Sequence, residues 1–64
     1  MNYIDNFIVL SRGHASTHST RDKALRHASK LEGLGYIAKV YQQIVLNCGE
    51  AYVLIYSTEI VTGG

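Results

Sequence analysis

Apolar residues run without a break through Phe7-Ile8-Val9-Leu10, return at helical spacing as Ala24, Leu25, Ala28 and Leu31, and alternate with polar ones from Tyr36 onward. The first run predicts a strand over Tyr3–Leu10, and its continuity is compatible with burial on both faces. The second predicts an amphipathic helix with one narrow apolar stripe, opposed by Lys23, Arg26, His27 and Lys30. Ser19 marks its start, because a hydroxyl there accepts from the orphan backbone N–H groups of the first turn, and Asp22 completes an aspartate version of the capping box. Gly35 marks its end, at the position where only a residue free to take positive φ sits without strain, and Tyr36 would then return onto Leu31. Gly33 falls in the last turn. The stretches Tyr36–Leu46 and Ala51–Thr58 predict two further strands around a tight turn at Asn47-Cys48-Gly49-Glu50. Residues 59–64 extend the last strand, with 62–64 as a frayed tail. Ser11–Thr20, rich in hydroxyls and small side chains, predicts a connection and not an element.

These elements imply an α+β fold, β-α-β-β, with one helix packed on a three-stranded sheet in a single domain spanning 1–64. A right-handed crossover makes the first two strands parallel. The third is the most apolar and is placed in the middle, giving the order 1-3-2. A turn centred on Cys48-Gly49 pairs Leu46 with Ala51, Ile44 with Val53 and Gln42 with Ile55 on the helix side, together with Ala38 and Val40. The other face then holds Ile37, Tyr41, Val45, Tyr52, Leu54 and Tyr56, with Tyr41 paired to Tyr56. One helix covers one face of a sheet, so this second face is left in water. Contiguous apolar surface with tyrosine favours recognition, which makes Tyr41, Val45, Tyr52, Leu54 and Tyr56 candidate contacts for a protein partner or a second copy of the chain.

Composition adds class and setting. With 64 residues, 47% of them hydrophobic and 17% charged, the chain is a small globular domain with a limited core. Its one cysteine, Cys48, cannot form an internal disulfide, which points to a reducing, cytoplasmic compartment. No apolar run approaches the ~18 residues of a membrane span.

The net charge of +1 is unevenly divided. Residues 12–30 carry Arg12, Arg21, Lys23, Arg26 and Lys30 against Asp22 alone, and the remainder carries Lys39 against Asp5, Glu32, Glu50 and Glu59. Those five cations are candidate anion contacts and support an alternative function, a nucleic-acid-binding module. Arg12, Gly13, Ser16, Thr17 and Arg21 lead into a helix N-terminus, where free N–H groups favour an anion. The histidines do not assemble into a recognised site. His14 and His18 precede the cap, His27 lies off the apolar stripe, and Cys48 sits at a hairpin tip, so no closed zinc shell is spelled out. No base is placed beside an acidic orienter. The reading is therefore of a non-enzymatic protein without metal, cofactor or catalytic residue.

Two resemblances bear on function. Ser19–Val40, read as capped helix, Gly35-Tyr36 and strand, resembles compact standalone proteins encoded by bacteriophages. That likeness implies a binder that blocks an enzyme or defence complex in the cytoplasm of a bacterial host. The ending Glu50–Gly64, with its terminal Gly63-Gly64, is similar to the small ubiquitin-like sulfur carriers, in which the terminal diglycine is adenylated and thiocarboxylated. That fold opens on a hairpin, and here the segment His14–Ser19 is too polar to be predicted as its second strand.

Overall fold

The structure, a computed structural model, describes residues 2–59. The chain forms β1 (Asn2–Ser11), β2 (His14–His18), α1 (Arg21–Gly33), β3 (Ala38–Leu46) and β4 (Gly49–Ser57). The four strands make one antiparallel sheet in the order β2-β1-β3-β4. The expected three-stranded sheet in order 1-3-2 is therefore incorrect. The connection Ser11–Thr20 contains a strand, β1 and β3 are antiparallel neighbours, and β4 is an edge.

All three differences share one cause. Arg12 and Gly13 both take positive φ, 55° and 76°, the signature of a two-residue type I′ hairpin turn. The chain reverses there, so α1 connects β2 to β3 with β1 between them, and the first strand cannot lie parallel to the strand that follows the helix. Once β1 occupies one side of β3, the Asn47-Cys48 turn puts β4 on the other, at the edge. His14–His18 is thus the second strand of an opening hairpin despite its polarity. Gly63 and Gly64, the extension beyond residue 59 and the expected frayed tail lie outside the described residues.

Helix α1 starts one residue later than expected. Thr20, not Ser19, is the N-cap, and its Oγ1 accepts from the Lys23 N–H at 3.2 Å. Asp22 therefore takes no part in a capping box and pairs with Arg26 at 3.0 Å, an exposed ion pair that contributes little. The C-terminus is as predicted. Gly35 has φ 89°, its N–H donates to the Glu32 carbonyl at 2.9 Å, and the Tyr36 N–H donates to the Leu31 carbonyl at 3.0 Å, which is a Schellman stop.

The helix lies over β1 and β3 and reaches β2. Ala24 and Ala28 are buried against Phe7 and Val9 of β1 and Ala38 and Val40 of β3, with Leu25, Leu31 and Ile55 packed around them. The alanines bring the helix close to the sheet, leaving Val9 and Val40 as the largest side chains with essentially no exposure. Ser11, the one buried polar side chain among the described residues, donates from Oγ to the Ile37 carbonyl at 2.8 Å, which meets its hydrogen-bonding need.

The hairpin β3–β4 is slipped by two residues from the expected register: Leu46 faces Gly49, Ile44 faces Ala51 and Gln42 faces Val53. A slip of two preserves the faces, whereas a slip of one would exchange them. Near the far end, Tyr41 faces Leu54 and Val40 faces Tyr56, leaving Ile55 as the extra residue of a bulge. The expected Tyr41–Tyr56 pair is thereby replaced by Tyr41–Leu54.

Candidate functional site

Two surfaces carry side chains beyond what the core needs, one on each side of the sheet. On the side away from α1, Thr17, Ile8, Tyr41 and Leu54 form a row across all four strands through the pairs Ile8–Thr17, Ile8–Tyr41 and Tyr41–Leu54. Ile8, Leu10, Tyr41 and Tyr52 line a shallow apolar hollow within it. Tyr52 and Leu54 are each 49% exposed, which is high for side chains of this size in a small domain. Val45 continues the face opposite Glu50, and an Asn6 Nδ2 to Gln43 Oε1 hydrogen bond of 2.8 Å supplies a polar patch beside it.

Sequence reasoning placed Tyr41, Val45, Tyr52 and Leu54 together, and the sheet does so. Tyr56 is exposed, but the bulge sets it opposite buried Val40. Ile37 is exposed in the linker before β3. Ile8 and Leu10 were missed as members, although their alternation with buried Phe7 and Val9 carries the signal.

The second surface is a cleft on the helix side, about 180 Å³ in volume, between the β1–β2 hairpin and the later half of α1. Ser11, Arg12, His14 and Ser16 come from the hairpin, His27 and Leu31 from the helix, and Tyr36 from the segment after it. Alternation along β2 sends His14, Ser16 and His18 to this side, so a stretch too polar to read as a strand has a polar duty on one face. Arg12 Cζ stands 4.5 Å from the centroid of the Tyr36 ring. Its left-handed backbone costs about 1 kcal/mol, which the stacking offsets to within a similar amount.

The histidines are closer together than the sequence suggested. The His18 and His27 rings lie 5.2 Å apart, and Ser16 Oγ is 3.2 Å from His18 Nε2. Partial burial, with His27 and then Lys23 nearby, holds the His18 pKa below its ordinary value. Among the described residues no group of three or more His, Cys, Asp or Glu side chains could hold a metal ion.

The five predicted cations do not form one cluster. Arg21, Lys23, Arg26 and Lys30 are exposed on α1, Arg26 being engaged by Asp22. Arg12 and Arg21 lie beyond opposite ends of β2, so the loop imagined to join them is a strand. Cys48 is exposed and free in the β3–β4 turn. No described helix is long and apolar enough to cross a membrane. Compared with known proteins, the chain matches no family model, no curated protein and no solved structure.

Proposed function

We propose that this chain is a small non-enzymatic protein-binding module that acts through the sheet face left uncovered by α1, inhibiting or modulating a larger protein or complex or pairing with a second copy of itself. The observation that carries this reading is the contiguous row Ile8, Tyr41 and Leu54, flanked by Leu10 and Tyr52, on the face opposite α1. Isolated domains rarely leave such apolar surface in water, and aromatic side chains are enriched where proteins meet. The finer reading, a phage-type inhibitor working in a bacterial cytoplasm, rests on size and architecture and on the single free thiol of Cys48.

Leu54→Glu tests the proposal. Leu54 sits at the β4 end of the row and is half in water, so the carboxylate costs the isolated fold little but enters a desolvated contact without a partner. The variant should fold like wild type and lose self-association by light scattering, or lose the partner recovered with the wild-type chain. Unchanged association would reduce the face to plain surface. The exposed cations of α1 support the alternative of nucleic-acid binding, which a steep loss of affinity with rising salt would reveal.

A further inference from the structure

We propose that the cleft between the β1–β2 hairpin and α1 binds a small organic oxyanion, a phosphate monoester being the best fit, with the Arg12 guanidinium as its anchor. The lining is basic and hydroxylic with no acidic member: Arg12, His14 and His27 offer N–H donors, Ser16 a hydroxyl, and Val9 and Leu31 an apolar wall. Among the described residues no carboxylate forms an ion pair with Arg12, because the ion pairs there are Arg26–Asp22 and Lys39–Glu59. Arg12 lines the cleft with its Cζ held over the Tyr36 ring, and a guanidinium is a planar fork that matches two oxygens of a phosphate or carboxylate.

The site is also held ready. Tyr36 is fixed from one side by its N–H bond to the Leu31 carbonyl, and the next residue is clamped by the Ser11 hydroxyl on the Ile37 carbonyl. Ser16 is oriented by His18. Arg12 is the one described non-glycine residue with positive φ, a conformation the type I′ turn requires and one that fixes where its side chain leaves the backbone at the cleft. A volume of about 180 Å³ is below the roughly 300 Å³ at which drug-sized pockets begin, so the occupant is an anion with a small organic group. This site lies on the opposite side of the sheet from the face proposed for protein binding and does not depend on it.

The test is an amide chemical-shift titration of the full chain at constant ionic strength, with phenyl phosphate, inorganic phosphate and phenol as probes. Phenyl phosphate should shift amides of residues 11–16, 27–31 and 36, with an affinity about millimolar, as expected of one fork and a few donors. Inorganic phosphate acting on the same amides equally well would show that the free ion is the ligand; weaker action would show that the apolar group contributes. Arg12→Gly should abolish these shifts while the melting temperature changes little, since the strain relieved at φ 55° and the stacking lost with Tyr36 are of similar size. Arg12→Lys, which keeps the charge but loses the fork, should weaken binding several-fold. The proposal is overturned if phenyl phosphate shifts nothing, if the shifts scatter over the exposed cations of α1, if phenol reproduces them, or if either variant binds like wild type.

Discussion

Val40→Ala against Leu54→Ala measures which face of the sheet is the core. Val40 has no exposed surface and packs between Val9 and the alanines of α1. Removing its two methyl groups forfeits about 1.6 kcal/mol of transfer free energy, and a cavity that cannot collapse adds up to about as much again, giving about 2–3 kcal/mol in all. A domain of this length has roughly 3–10 kcal/mol of stability, so the loss is a large share of it. The melting temperature should fall by roughly 10–20 °C. Leu54 is already half in water, and its truncation should cost less than about 1 kcal/mol. Urea melts of both variants, with unchanged denaturant slopes, decide the matter. Equal losses, or a larger loss at Leu54, would refute the packing of α1 on the Val40 face.

The helix cap and the histidine pair give two more tests. Thr20→Ala should destabilise by about 1 kcal/mol and Ser19→Ala by little, since Thr20 makes the capping bond; the reverse ranking in thermal melts would return the cap to Ser19. The depressed His18 pKa means that the unfolded chain binds the proton more readily near pH 6.5. Stability should therefore decline as pH falls through that region, and His18→Gln should flatten the decline. A His18→Gln profile as steep as wild type would show that other groups govern it.

The helix and the two later strands were legible because their signals are local. The Ala24, Leu25, Ala28, Leu31 spacing and the Gly35-Tyr36 stop specify α1 and its end with no reference to the rest of the chain. The two faces of β3 and β4 were legible for a different reason: the alternation of period two survives a register error of two, so Tyr41, Tyr52 and Leu54 stayed together although each pairing was misplaced. The strand β2 was not legible. His14-Ala15-Ser16-Thr17-His18 has no large apolar residue, being an edge strand whose helix-side positions line a polar cleft. Its turn uses Arg12-Gly13, where the common signal is Asn-Gly or Asp-Gly. Missing that one strand was enough to misplace the whole strand order, because strand direction is set by the number of reversals before the helix. The cleft was hidden with it, since Arg12, His14, His27 and Tyr36 meet only once the hairpin folds against α1. The sequence groups Arg12 with Arg21, whereas the fold sets Arg12 over Tyr36, 24 residues on, and parts it from Arg21 by the length of β2.

The central claim is that α1 covers one face of the sheet and leaves the face of Tyr41, Tyr52 and Leu54 open for a partner. Solvent paramagnetic relaxation measured on dilute protein tests it most directly, because an inert paramagnetic probe in the water broadens each methyl and ring signal according to its exposure. Strong broadening is expected at Leu10, Tyr52 and Leu54 and almost none at Val9, Val40 and Ala28, with the first group becoming shielded as association proceeds. Protected Tyr52 and Leu54 signals in the dilute monomer, beside exposed Val9 and Val40, would contradict it and put the helix on the tyrosines.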